Sequence, residues 1–261
     1  MDKKLDSTNK KQRIYNILFP LIAVIFLLIV WGVTSKIVGL ELLFPSIGSA
    51  FGELGKLLGD SSFYLALANS LARALIAFVC AFVFGLALAI LSFSFGAIEK
   101  LLNPIISIMR SIPTMSILLL TLIWLDAFSS PILMAFFVIF PIIYTNVLGS
   151  LNGIDKSLID MSKLFCVGKK TLITKLYIPS ISASIFSSIR STLSLTLKLI
   201  IAGEVFAQTA KSIGLNMYLG QIYLETAKLF AWTIVAIVLG GILEAIVAII
   251  SKIVEKKCYG N

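Results

Sequence analysis

The sequence contains no histidine. That absence removes imidazole-based triads, His-ligated zinc sites and histidine proton relays together. Charge is scarce as well: 13% of the 261 residues are Asp, Glu, Lys or Arg, where a soluble domain carries roughly a quarter. The three cysteines, Cys80, Cys166 and Cys258, are far apart and odd in number, so no disulfide framework is implied. No small-residue cleavage site follows the basic start and first apolar run, "MDKKLDSTNKKQRIYNILFPLIAVIFLLIVWGV", which reads as an uncleaved span rather than a removed signal. A phosphate-cradling loop is missing too. In "KLFCVGKKT", Lys163 holds the first glycine position and Lys170 follows Gly168-Lys169, so the G-x-x-x-x-G-K-[ST] pattern fails. No acid–base pair or activated nucleophile stands out. The chain does not read as an enzyme.

What remains is grease. Hydrophobic residues make up 59% of the chain, and apolar runs of about 20 residues, enough to cross a bilayer as a helix, recur along it. The expectation is an all-α membrane protein with six spans at 17–34, 74–94, 104–125, 130–149, 180–206 and 229–252. Residues 1–16 and 253–261 then form tails, 35–73 an external segment and 74–252 the core, including a loop over 150–179. Within the external segment, residues 44–71 read as too polar and glycine-broken to span, and so as an amphipathic helix at the interface. Pro113 and Pro141 are expected to kink spans three and four.

The net charge of +9 points to loop topology rather than to nucleic acid. With the N-terminus inside, 14 of the 22 Lys and Arg fall on the inner side. Only Lys36, Lys56, Lys211 and Lys228 fall outside, and Arg73, Arg110, Arg190 and Lys198 lie in or beside spans. This bias predicts cytoplasmic termini and a cytoplasmic 150–179 loop in a multi-pass cell-membrane protein. Small residues recur in span two at Ala77, Ala81, Gly85 and Ala89. In span six, Ala236, Gly240 and Ala248 share a face with Glu244. Such spacing lets helix backbones approach closely in a membrane, so packing is the reading of both stripes.

The long polar loop raises its own question. In "SLIDMSKLF", Leu158, Met161 and Phe165 share one helical face, and Lys156, Asp160 and Lys163 the other. A second amphipathic run, "KKTLITKLYI", leads to Pro179, a natural start for the next span. Two short helices joined by a turn would project into the cytoplasm, either as a solvated loop or with an apolar face awaiting a partner protein. Span five is rich in Ser and Thr, with Arg190, Ser194 and Lys198 four residues apart. An intramembrane charge is expensive unless paired or wet. Arg190 and Lys198 therefore line a cavity or pair with Glu204 or Glu244; both alternatives stand.

The loop resembles the EAA loop of ABC-importer permeases. Asp160, Met161 and Ser162 occupy the Glu-Ala-Ala positions, Cys166 the glycine and Ile178–Pro179 the terminal Leu-Pro, without a gap. The residue types are eroded: Asp for Glu, Met and Ser for the two alanines, Cys for Gly. "LFPSIGSAFGEL", "NSLARALIAFV", "RSIPTMSILLLTLIWL" and "SSIRSTLSLTLKLIIAGEVFA" are similar to segments of the branch that handles nitrate, sulfonates, taurine, bicarbonate and thiamine precursors. Arg73, Arg190 and Glu204 sit at matching positions, and the resemblance covers roughly residues 40–250.

The resemblance implies a type I importer permease fold with cytoplasmic coupling helices. It also implies a second permease subunit, the expectation being a homodimer, an external substrate-binding protein and a separate ABC ATPase. ATP and magnesium would reside on that ATPase, and no cofactor or metal on this chain. The coupling residues would be Leu158, Asp160, Met161, Ser162, Phe165, Cys166, Gly168 and Pro179. Cys166 tolerates a positive φ poorly, so Gly168 is expected to take the turn. The candidate translocation path is Arg190, Ser194, Lys198 and Glu204. The alternative is an ion-coupled secondary transporter or channel working without an ATPase, which would need carboxylates at mid-depth.

Overall fold

The computed structural model describes the backbone of residues 2–259 and the side chains of 18–253 except 183. The side chains of the lysine-bearing tails and Cys258 lie outside the described residues. Eleven helices occur in order among the described residues. They are α1 Asp2–Val38, α2 Ile47–Leu58, α3 Ser61–Ser94, α4 Gly96–Ser111, α5 Thr114–Trp124, α6 Ser130–Asn152, α7 Lys156–Leu164, α8 Lys169–Leu172, α9 Ile178–Ala207, α10 Ile213–Ile222 and α11 Thr226–Tyr259. A π-helical stretch, Ile173–Tyr177, joins α8 to α9. Five helices are long and apolar enough to span a membrane, and α4 with α5 makes a sixth crossing if taken as one broken span. The protein is a multi-pass, all-helical membrane protein.

Two units divide the chain: Met1–Asp60 with Leu219–Thr233, and Ser61–Tyr218 with Ile234–Asn261. In the first, α2 is capped by Ser46, whose Oγ accepts from the Ser49 N–H at 3.1 Å, as an N-cap serine does. Trp31 and Phe44 pack on Phe230, with ring centroids 5.3 and 5.4 Å away. The Trp31 indole donates to the Pro45 carbonyl at 2.9 Å. An amphipathic ring with its polar edge satisfied suits a membrane–water boundary.

In the second unit α3, α6 and α9 form the centre, with α5 against α6. Ala77, Ala81, Gly85 and Ala89 are all buried. A Cβ on Gly85 would stand 2.9 Å from Ile143 Cγ2 and 3.3 Å from the Tyr144 amide nitrogen, so the stripe is a contact surface for α6. Gly240 is buried, and a Cβ there would meet Ser194 Oγ at 3.5 Å. Ala236, Glu244 and Ala248 are only half-buried. Ile117, Leu118 and Met134 close the space beneath α5, with Leu122, Phe137 and Leu199 around them. Tyr144 donates from its buried hydroxyl to Ser92 Oγ at 2.9 Å, tying α6 to α3.

Three sequence expectations are corrected. Residues 44–71 are not one amphipathic helix: α2 ends at Leu58, and α3 begins at Ser61 and runs without interruption to Ser94. Phe63, Ala66, Ser70, Arg73, Ala74 and Ala77 keep one helical face buried, and the polar members of that face have partners in the fold. Span three is not one kinked helix from 104 to 125. α4 starts at Gly96, passes through Pro104, and meets α5 at a 95° bend. Ile112 at the bend is extended, with ψ 129°, as the residue before a proline prefers. α6, by contrast, continues through Pro141 as one helix. Span one extends to Val38.

Candidate functional site

Three features carry functional chemistry, beginning with the loop after α6. Asp155 caps α7 by accepting from the Ser157 N–H at 2.8 Å. That backbone hydrogen bond holds its carboxyl below the usual carboxylate range. On α7, Ser162 is buried, while Leu158, Met161, Leu164 and Phe165 are exposed. Phe165, at the C-cap, shows 76% of its surface. Asp160 accepts from Lys163 at 2.9 Å on the exposed polar side. The apolar face of this short helix thus meets nothing among the described residues that covers it.

The turn after α7 departs from expectation. Cys166 takes the left-handed conformation, φ 49°, whereas Gly168 is extended, φ −61° and ψ 144°. The Val167 N–H donates to the Ser162 carbonyl at 2.9 Å and the Cys166 N–H to Lys163 at 3.1 Å. These paired bonds need the residue after the C-cap in the left-handed region, whatever its side chain. Position, not residue type, decided it. A non-glycine residue there costs about 1–2 kcal/mol. Cys166→Gly is therefore expected to raise the loop's resistance to protease at elevated temperature, read as a slower rate of cleavage within 156–168; an unchanged rate would show that the turn is not strained. The second amphipathic run is also not a free-standing helix. α8 has four residues and passes through the π stretch directly into α9, with Pro179 in the first turn of α9.

The second feature is a buried ion pair. Arg73 Nη1 donates to Glu204 Oε1 at 2.5 Å, and the side chains are 2% and 0% exposed. Glu204 Oε2 also accepts from Ser70 Oγ at 2.8 Å and from the Gly214 N–H at 3.1 Å. Ser70 Oγ in turn accepts from the Ile213 N–H at 3.0 Å. Arg73 Nη2 reaches the Ala210 carbonyl at 3.4 Å, and its Cζ lies 4.9 Å from the Phe128 ring centre. One carboxylate thereby joins α3, the end of α9 and the start of α10. The chain between α9 and α10 bends through left-handed Gln208 and Lys211, with Thr209 Oγ1 donating to Ala127 O at 2.7 Å. Sequence reasoning placed Glu204 on the path; the fold commits it to Arg73. Polar residues at Ser70 and Arg73, spaced by three on an apolar helix, were the available signal.

The third feature is the outward face of α9. Arg190, Ser187, Ser191 and Lys198 are exposed, while Ser194 is buried. Among the described residues no carboxylate lies within ion-pair distance of Arg190 or Lys198, and Glu204 is already taken. Arg190 and Lys198 are thus exposed and, among the described residues, without an ion pair, Ser194 is buried between them on the same helix, and Glu204 is held by Arg73. Among the described residues there is also no cluster of Cys, Asp and Glu suited to a metal.

The sequence that builds the short exposed helix and the long polar-faced one after it matches a known family. Residues 81–257, more than half of the chain, match the binding-protein-dependent transport system inner membrane components. The chain belongs to this family. Among curated relatives it is 23% identical over 185 residues to the aliphatic sulfonates transport permease protein SsuC of Bacillus subtilis (strain 168). That match covers 70% of this chain and 66% of the relative. It is 24% identical over 234 residues to the nitrate import permease protein NrtB of Synechocystis sp. (strain ATCC 27184 / PCC 6803 / Kazusa), covering 85% and 82%. The chain thus spans just under two thirds of the first and four fifths of the second.

Solved structures agree on the fold. A bacterial ABC transporter involved in the import of the acidic polysaccharide alginate superposes with a TM-score of 0.64 at 18% identity, covering 96% of this chain and 98% of that one. An inward-facing MetNI methionine ABC transporter gives 0.63 at 16% identity, covering 74% and 96%. The architecture is the type I importer permease fold.

Proposed function

We propose that this chain is the permease subunit of an ATP-driven importer for a small solute delivered by an external binding protein. Its relatives' names put sulfonates and nitrate first among candidates, with taurine, bicarbonate and thiamine precursors alongside. Two copies pair, and each docks its α7 on a separate ATPase, which holds the ATP and magnesium. Both termini and the 150–179 loop lie in the cytoplasm, following the charge asymmetry of the loops. Leu158, Met161 and Phe165 enter the ATPase, and Cys166 sets the angle at which the loop returns to the membrane. Arg190 and Lys198 face the hydrated path, because a lone cation against lipid costs several kcal/mol.

The observation that carries this reading is the uncovered apolar face of α7. A few buried anchors dominate small interfaces, and a helix on the water side has no lipid to hide them. A secondary transporter would instead need carboxylates free to take up a coupling ion; Glu204 is locked to Arg73, which leaves half-buried Glu244 on α11 to serve that reading. Met161→Glu combined with Phe165→Glu is expected to reduce ATPase co-purification at least tenfold while the permease still folds. Undiminished co-purification would end the docking assignment.

A further inference from the structure

α4 carries a polar stripe that the sequence reading did not use. Asn103, Ser107 and Ser111 recur at four-residue spacing, with Arg110 beside them. On a membrane helix such a face is poorly solvated by lipid and belongs against water or protein. In the fold these four residues, all exposed, line with Ile106 and Thr145 of α6 an open cavity of about 400 Å³. Ile106 is buried beneath it. At Arg110 and Ser111 the cavity adjoins the 95° break between α4 and α5. Interrupted helices at membrane depth are tolerated where their backbone lines a wet cavity or protein.

The donors in this cavity are unequally engaged. Ser111 Oγ already donates to the Ser107 carbonyl at 2.9 Å, and Thr145 Oγ1 to Pro141 at 2.9 Å. Among the described residues, no hydrogen bond or ion pair occupies the side chains of Arg110, Asn103 or Ser107. What is left is a guanidinium, an amide and a hydroxyl, all able to donate, with no carboxylate lining the cavity. A guanidinium fork matches two oxygens of a planar or tetrahedral oxyanion. The volume accommodates a small oxyanion together with waters, each of which takes about 30 Å³.

We infer that this cavity is an oxyanion-binding station, with Arg110 as its principal donor and Asn103 and Ser107 completing the contacts. It deepens the proposed function by naming where the solute's anionic group is held, and it rests on that reading for its role in transport. The phosphate of an anionic lipid offers the same chemistry, so the source must be separated from the site.

The test uses the full chain, purified with its ATPase in maltoside detergent. Its thermal midpoint is measured against sodium nitrate, sodium methanesulfonate, sodium chloride and, separately, phosphatidylglycerol. Nitrate or methanesulfonate is expected to raise the wild-type midpoint by more than chloride does. Arg110→Gln is expected to weaken that binding at least tenfold, and Arg110→Lys several-fold, since an ammonium keeps the charge and loses the fork. The lysine variant also serves if the glutamine variant fails to fold. A response to phosphatidylglycerol alone, lost in the same variants, assigns the station to lipid headgroups. Equal responses in wild type and both variants, or chloride matching the oxyanions, overturn the inference. ATPase co-purification in the same preparations tests the importer reading separately. Retained ATPase with unaltered anion binding sinks only the station, and absent ATPase in wild type sinks only the importer.

Discussion

Arg73→Ala is expected to abolish the folded permease rather than to slow it. The substitution leaves Glu204, fully buried, with hydrogen bonds from Ser70 and Gly214 but no cation. Breaking one side of a buried pair costs about 3–5 kcal/mol, because the remaining charge stays in low dielectric unpaired. Glu204→Gln should cost less than Glu204→Ala, since its amide oxygen still accepts from Ser70 or Gly214, but it too strands the Arg73 guanidinium over Phe128. The double substitution Arg73→Met with Glu204→Leu removes both charges and should recover part of the loss, a non-additivity expected of directly contacting residues. The measurement is the yield and thermal midpoint of the solubilised protein by size-exclusion chromatography. An unchanged midpoint for Arg73→Ala would show that this pair does not hold α3, α9 and α10 together.

Gly214→Ala is expected to damage the same junction by sterics alone. A Cβ there would come 2.6 Å from the Ile201 carbonyl oxygen and 2.7 Å from the Val205 nitrogen, and would also meet Glu204 Cβ. Two of those neighbours are backbone atoms of α9, so no side-chain rotation relieves the overlap. α10 must move away, lengthening the Gly214 N–H bond to Glu204. Overpacking of this kind costs about 1–3 kcal/mol or more, and here it adds the weakening of a charge-assisted hydrogen bond. The expected readout is a midpoint depressed nearly as far as in Arg73→Ala. Gly85→Ala provides the contrast, because its nearest neighbour is the Ile143 side chain rather than backbone, so Ile143 can give way in part and the midpoint should fall less than in Gly214→Ala. A Gly214→Ala protein indistinguishable from wild type would mean that α9 and α10 are not in this close contact.

Several elements were readable from residue order. The small-residue stripe of α3 identified its own packing face, because a four-residue period admits only one buried side on a helix. The alternation of Leu158, Met161 and Phe165 with charged residues marked α7 as an amphipathic helix, and the structure leaves that face open. Pro113 marked the place where the third crossing fails, through its missing N–H and its constraint on Ile112. The size of the bend was not readable, since a proline specifies the break and packing specifies the angle.

Other features depended on residues distant in sequence. Glu204 looked like Arg190 and Lys198 in being a charge within an apolar span, and only the approach of Arg73, 131 positions away, separates a structural carboxylate from exposed cations. The Arg110 cavity was equally hidden, because Thr145 on α6 forms its other wall. The length of α3 was hidden for the same reason: polarity at Ser70 and Arg73 gives no sign of a continuous helix until their partners on α9 and α10 are in place. By itself the sequence determined what is local and periodic: spans, helix faces, proline breaks and, through the lysines, the expected sidedness. Tertiary structure alone decided which intramembrane polar groups are satisfied, because the cost of a buried charge depends on a partner that linear order does not bring near.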